Sequence, residues 1–298
     1  MSIVKRTFIR KPLALAISSL LTIGVGIAAE QPPRVLDKVA AGAATLNADA
    51  SIITQSSDRA ILDWQRFNVN SGETVQIRQP SVTSASLNRV TGGEVSDIQG
   101  RLHSNGQVLL VNPNGIVFGK DSIVDVASLV ATTSNISNNN FMSHRAGQPL
   151  RFSAGDSKAD ATISNSGKLV STVDGGLIAL VAPHVHNDGI IYAKLGKISL
   201  GGGDAYSLDL FGDGLISFAT NSALDAASVV NGGKGQILAE GGQILITTQQ
   251  AENVLDGVIN LGGAVRASSL SSDGGRIRLE GKDNTDFIIT GLVEASSG

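Results

Sequence analysis

No cysteine occurs in the 298 residues, so disulfides contribute nothing to stability. Aromatic residues make up only 4% and charged residues 16% of the chain. Amphipathic helices need periodic Lys, Glu, Leu and Ala, and so thin a supply of charge argues against them. Basic charge is scarcer still once the start of the chain is set apart. Four of the 23 Lys and Arg lie in the first 29 residues, leaving 19 against 26 Asp and Glu, a net of −7 (19 − 26). That balance disfavours nucleic acid and anionic membrane surfaces as partners. After residue 29 there is no hydrophobic run long enough to span a bilayer.

The first 29 residues have a composition of their own. Lys5, Arg6, Arg10 and Lys11 precede LALAISSLLTIGVGIAA, which ends in small residues at Ala28 and Ala29. A basic segment, an apolar segment and a small-residue end are the pattern of an export signal cleaved near those alanines. Ser18, Ser19, Thr22, Gly24 and Gly26 interrupt the apolar segment, which argues against a membrane anchor. The expected product is an exported soluble chain, with residues 1–29 as signal peptide.

What the sequence has in plenty is glycine, 35 of them. From residue 160 onward a Gly opens a short run in which aliphatic and small or polar residues alternate, and a second Gly opens another. GKLVS and GLIAL, GIIYA and GKISL, GLISF, GQILA and GQILI, GAVRA and GRIRL, and GLVEA follow one another. Leading glycines stand at 167, 189, 214, 235, 263 and 291, separated by 22, 25, 21, 28 and 28 residues. Period-2 alternation predicts strands, and a coil-length repeat predicts a solenoid. Ile190, Tyr192, Ile198, Leu200, Ile237, Ile244, Ile246, Val265, Ile277 and Leu279 occupy the alternating positions. The fold class is therefore all-β, a parallel β-helix with two or three strands per coil; an antiparallel sandwich shares the alternation but does not require the repeat. Val35 to about Ser134 repeats less regularly, as an N-terminal cap with the first coils would. The division expected is cap and first coils over 30–160 and continuing coils over 161–298. The last run, GLVEASSG, stops in mid-repeat, which suggests a fragment.

One stretch differs from the rest: SNGQVLLVNPNGIVFGKDS, residues 104–122. QVLLV and IVF are continuous apolar runs of the kind that form strands buried on both faces. Asn112 at i, Pro113 at i+1 and Gly115 at i+3 fit a type I turn, with Pro113 presetting φ and the Asn112 side chain bonding back to the backbone. Local physics thus predicts a stiff corner from Asn112, Pro113, Asn114 and Gly115.

With NRVTGGEVSDIQGRLHSNGQVLLV before the corner and VFGKDSIVDVASLVATTSNIS after it, this region resembles the secretion domain of two-partner secretion exoproteins. That is the amino-terminal domain of filamentous haemagglutinin-like adhesins and related haemolysins and contact-dependent toxins. The resemblance is densest from Ala85 to Phe141 and rests on NPNG, on Asn88-Arg89-Val90, and on the SNGQ lead-in with Asn105 and Gly106. An upstream NPNL motif carried by some members is missing, which places the chain nearer the high-molecular-weight adhesins. The resemblance implies a right-handed parallel β-helix with an N-terminal cap. It also implies export by the general machinery, an unfolded passage through the periplasm of a Gram-negative bacterium, and recognition by the periplasmic domains of a dedicated outer-membrane β-barrel transporter. Folding would follow at the cell surface, with a host-surface or neighbouring-cell receptor awaiting the full-length protein. Absence of cysteine suits that route, because a cross-linked chain would not thread a narrow pore.

Little else points to chemistry. His184 and His186, with Asp188 following, share one face of a strand, but zinc needs three or four ligands; exposed histidines at a turn are the expectation. Asp204, Asp209 and Asp213 in GGGDAYSLDLFGDG depart from the spacing of calcium-binding repeats. The same carboxylates admit a polysaccharide-degrading β-helix as the alternative function, though a fold does not imply an activity. Asn135-Ile136-Ser137 is a glycosylation sequon by pattern alone. Arg59, Arg66, Arg78 and Arg89 read as solvated faces. No catalytic residue, metal or cofactor is expected.

Overall fold

A computed structural model describes residues 31–145, 147–209, 216–218, 224, 226–248, 256–269, 275–281 and 285–297. All of them after Gln31 belong to the unit Pro32–Gly298. Each glycine-led run is a strand, and successive strands turn corners instead of folding back. Gln107–Val111 lies in a first sheet, Ile116–Phe118 in a second and Ile123–Asp125 in a third, before Ser128–Thr132 returns to the first. The returning strand pairs in parallel with the one it left, Val108 beside Leu129 and Leu110 beside Ala131. Repetition of this circuit gives a parallel β-helix with three faces, whose sheets hold nine, seven and ten strands among the described residues. The right-handed sense is the one expected of parallel crossovers.

Two columns of glycine mark two of the three corners. Gly167, Gly189, Gly235, Gly263 and Gly291 precede strands of the third sheet, and Gly176, Gly196, Gly242 and Gly275 precede strands of the first. The reason is contact between coils. A Cβ on Gly242 would sit 1.7 Å from the Gly196 carbonyl oxygen, and one on Gly196 would sit 2.2 Å from that of Gly176. No side chain fits there.

Alternation then sorts each strand. Ile191 and Ala193 point inward while Ile190 and Tyr192 face out; Ile198, Leu200, Ile237, Ile244, Ile246 and Val265 are buried inside, and Ile277 and Leu279 are partly covered. Trp64 and Phe67, centroids 5.1 Å apart and edge to face, fill the coil nearest the start. The start itself is capped. Arg34–Ala41 runs antiparallel to Arg59–Phe67 with three register shifts, and Ala44–Leu46 runs antiparallel to Ile52–Gln55. Bulges blunt an edge that would otherwise recruit other strands.

Two excursions leave the helix and meet on its outside. One, between Ser128–Thr132 and Thr162–Asn165, carries the short helix Asn138–Met142 and the strand Leu150–Phe152. The other, between Lys197–Gly202 and Ala226–Asn231, carries Tyr206–Leu208 and Ile216–Phe218. Their strands form a three-stranded antiparallel sheet, with Phe152 stacked on Tyr206 at 4.5 Å. Beneath them a second apolar cluster of Leu87, Leu109, Val111, Val130, Ala179 and Phe141 covers the outer face of the first sheet.

These facts correct three expectations. QVLLV is buried at every position, but IVF is not: Val117 faces partly outward because the excursions cover the first sheet and not the second. GLISF is not a coil. Its strand Ile216–Phe218 belongs to the outer sheet, Gly214 lies outside the described residues, and one coil with a long insertion joins Gly189 to Gly235. Within the stretch expected to be irregular, the antiparallel cap is so, while first-sheet register from Ala85 to Gln107 to Ser128 steps evenly. His184 and His186 sit half-buried within the strand His184–Asn187, not at a turn.

Candidate functional site

The NPNG corner joins the first sheet to the second, and its polar groups are spent on neighbouring coils. Gly115 N–H donates to the Asn112 carbonyl at 3.1 Å, closing the turn. Asn112 is fully buried. Its Oδ1 accepts from the Asn114 N–H at 2.9 Å, and its Nδ2 donates to the Glu94 carbonyl at 2.9 Å and Ser96 Oγ at 3.0 Å. Asn114 Nδ2 donates to the Gly92 carbonyl at 2.9 Å. All three of those acceptors lie one coil earlier. The coil after is held as well, the Asn112 N–H donating to the Thr132 carbonyl at 3.0 Å, and the Pro113 carbonyl accepts from Lys158 N–H of the first excursion at 3.3 Å. Gly115 has φ +117°, and a Cβ there would stand 2.8 Å from the Thr162 carbonyl oxygen. Both reasons demand glycine.

The other residues of the resemblance fall into two different places. Asn105 pairs with the main chain of Gln79 twice, its Oδ1 accepting from the N–H and its Nδ2 donating to the carbonyl, each at 2.8 Å. Gly106 leaves room for the buried Gln79 side chain, whose Nε2 donates to the Ser84 carbonyl at 2.9 Å. Ser104 Oγ donates to Gln79 Oε1 at 2.6 Å. Asn88 is buried and accepts from Trp64 Nε1 at 3.2 Å, while Val90 packs in the core. Arg89 points outward.

Arg89 and Arg59 are not solvated faces. Arg89 Nη2 donates to Asn138 Oδ1 at 2.6 Å, and its Nε lies 3.8 Å from the Asp63 carboxylate. Arg59 Nη1 donates to the Phe141 carbonyl at 3.3 Å, with its guanidinium 5.5 Å from the centroid of the Phe141 ring. Both arginines clasp the short helix of the first excursion. Their alternation points them out of the coil, but the excursion covers that side. Arg66 pairs with Glu94 at 2.9 Å, and Arg78 bonds to Gln76. Between the corner and the excursion runs a cleft of about 400 Å³ lined by Arg89, Pro113, Asn114, Asn135, Asp156 and Lys158.

Three further sets were missed from sequence. Arg34, buried at the cap, donates to the carbonyls of Ala50, Asn68 and Asp49 and forms an ion pair with Glu73. Hydrogen bonding to Arg34 holds the Glu73 carboxyl below its ordinary range. Asn165, Asn187 and Asn231 stack at one corner, each Nδ2 donating to the next Oδ1 at 2.7 Å. Their signal was present as an Asn two residues before Gly167 and Gly189. His144 is the third, bonded to Arg59 and Gln148.

The residues singled out for metal or catalysis do not converge. His184 Nδ1 bonds Ser228 Oγ at 2.9 Å and His186 Nε2 bonds Asp188 at 2.8 Å. Asp204 is buried near the second excursion, and Asp213 lies outside the described residues. Among the described residues no group of three or more His, Asp and Glu is placed to hold a metal.

The geometry has known counterparts. The family model of the TPS secretion domain matches residues 37–292. A heme/hemopexin-binding protein of Haemophilus influenzae is 42% identical over 89 residues, covering 30% of this chain and 10% of that protein. A second protein of that description, from H. influenzae strain Rd, is 29% identical over 236 residues, covering 78% and 25%. The chain thus spans a quarter or less of these relatives. Among solved structures, the HMW1 secretion domain of H. influenzae superposes with a TM-score of 0.73 at 33% identity, covering 87% of this chain and 66% of that one. The filamentous hemagglutinin secretion domain superposes at 0.54 with 15% identity, over 89% and 97%, and shows the fold alone. The greater likeness to HMW1 accords with the missing NPNL. With a capped three-faced β-helix, the NPNG corner at the start of its regular coils and a family match over most of its length, the chain belongs to the TPS secretion domain family.

Proposed function

We propose that this chain directs the export of an adhesin-like exoprotein by being recognised while unfolded and by folding once outside. Residues 1–29 take it across the inner membrane by the general export route. The periplasmic domains of a cognate outer-membrane β-barrel then bind an extended segment, by adding it as a strand to one of their own sheets. Outside the cell the coils form in order. Each buries aliphatic area worth roughly 25 cal/mol per Å² and completes a row of backbone bonds, so return into the pore becomes unfavourable without any nucleotide.

One observation supports this most directly: the NPNG corner bonds to the coil before it through the side chains of Asn112 and Asn114 and to the coil after it through the Asn112 N–H on the Thr132 carbonyl. A corner so placed sets coil register as the chain emerges. Asn112, Pro113, Asn114 and Gly115 are on this reading a folding device and not a surface that contacts the transporter. Asn88, Arg89, Val90, Asn105 and Gly106 serve the same coils. The relatives are secretion domains and heme/hemopexin-binding proteins, which gives no support to the polysaccharide-degrading alternative.

Co-expression tests the proposal. With its cognate barrel the chain is expected in the medium, and without it in the periplasm; release that is indifferent to the barrel would refute it. Asn112→Ala is expected to cut secretion while urea-unfolded protein still binds the isolated periplasmic domains. Loss of that binding would make the corner a contact surface instead.

A further inference from the structure

The first excursion is held on the β-helix through a histidine whose protonation state is fixed by its partners. His144 is buried, with Nε2 2.7 Å from the Gln148 carbonyl and Nδ1 3.2 Å from Arg59 Nη2. A carbonyl oxygen only accepts and a guanidinium only donates. Nε2 must therefore carry the proton and Nδ1 must be bare, so only the neutral ring satisfies both bonds. A second proton would go to Nδ1. It would point an N–H at the N–H of Arg59 and set two cations against each other.

We propose that the Arg59–His144 contact is a pH-sensitive latch that closes the excursion over the first sheet at neutral pH and releases it in mild acid. Arg59 is also the residue that bonds the Phe141 carbonyl and lies over the Phe141 ring. Disturbing it loosens the helix Asn138–Met142, which Arg89 still ties through Asn138. Release would uncover Leu87, Leu109, Val111 and Val130, the apolar outer face beneath. Among the described residues, the charged groups acting on the ring include Arg59 from the first sheet and Asp209 from the second excursion, with Asp58 beside Arg59 and Arg145 next in the chain. Burial, the largest influence, opposes a proton on the ring; the bond to the Gln148 carbonyl favours one, Arg59 opposes it and Asp209 favours it, and the ring titrates below its ordinary value.

The sign follows from linkage. The released ring binds a proton near its ordinary pKa of about 6.5, and the latched ring binds one only at lower pH. Latching is therefore complete above that value and is lost as pH falls through it toward the latched pKa. Within that window the opening equilibrium changes by up to about tenfold per pH unit.

Hydrogen exchange followed by mass spectrometry on the secreted chain tests this locally. After correction for intrinsic rates, the segment 138–152 is expected to exchange several-fold faster at pH 5.5 than at pH 7.5, while 107–111 beneath it in the sheet ladder does not. His144→Gln, whose amide can donate to Gln148 and accept from Arg59, is expected to abolish the difference. An equal pH response in that variant, or none in the native chain, would overturn the latch. Should the variant fail to fold, NMR titration of the native histidines decides: His144 must titrate with the same midpoint as the opening, and titration without opening refutes the proposal. His184 is also depressed by burial, but it lies on the second sheet and leaves the 138–152 readout untouched.

Discussion

Asn112 uses one carboxamide to satisfy a turn and two groups of the preceding coil, all without exposure to water. Asn112→Ala removes four bonds and leaves the Glu94 carbonyl and Ser96 hydroxyl short of a donor. Each bond contributes about 1 kcal/mol and an orphaned buried group costs 1–3, so a loss of about 2–4 kcal/mol is expected in urea unfolding. Asn112→Asp should be no rescue, because it keeps the acceptor but loses both donations and buries a charge. Glycine at the coil corners allows a cleaner comparison. Gly242→Ala forces a Cβ into the Gly196 carbonyl, whereas Gly233→Ala meets nothing within 4 Å. Overpacking of this kind costs about 1–3 kcal/mol; the unfolding midpoint should fall for the first and hold for the second. At the cap, Glu73 supplies a pH test. Its folded pKa is lowered by Arg34, so its contribution is present above the ordinary value and disappears as pH falls through the folded one. Glu73→Gln should therefore lower the urea midpoint at pH 7 and matter progressively less as the solution is acidified toward pH 3. An undiminished effect in acid would deny the ion pair its role.

Among elements, what the sequence made legible was whatever one coil imposes on the next at close range. Both glycine columns are such a constraint, and they located the strands of the first and third sheets. Strands of the second sheet, such as Ser96–Ile98 and Ile116–Phe118, follow corners made by Asn112 or by irregular turns and have no glycine column ahead of them; the mark three later members carry is the Asn that ends each, Asn165, Asn187 and Asn231. GLISF misled because an outer antiparallel strand alternates just as a coil strand does; only pairing partners distinguish them. Arg59 and Arg89 misled for a related reason. Reading them as solvated faces placed them on the outside of the coil, but gave no sign that a segment 49 to 85 residues away, with Asn138, Phe141 and His144, would lie over them. The NPNG turn was legible down to its side-chain bond, yet its reach to residues 92–96 was not, because that depends on coil register. The Asn row shows the same dependence. Asn187→Ala would strip Asn165 of its acceptor and Asn231 of its donor inside the coil stack. About 2–4 kcal/mol should be lost, and exchange protection should fall in the strands Thr162–Asn165 and Ala226–Asn231 together, as expected where neighbours stabilise one another.

At the scale of the whole molecule, stability and the proposed export route make opposite demands on a cross-link, and a chain with no cysteine meets the second. Val117 and Ser164 are paired on adjacent parallel strands of the second sheet, both facing partly outward. Neighbouring strands lie about 4.8 Å apart, within the span a disulfide bridges. Val117→Cys with Ser164→Cys, oxidised after folding, should close a long loop and stabilise the purified domain by about 4 kcal/mol. The same pair oxidised in the periplasm would present two chain segments to the transporter at once. Secretion should then fall while the single-cysteine variants pass, and suppressing periplasmic thiol oxidation should restore it. Arrival of the oxidised double variant in the medium at the native level would mean that the barrel accepts folded or looped chain. Coil-by-coil folding outside the cell would then no longer be needed to account for export.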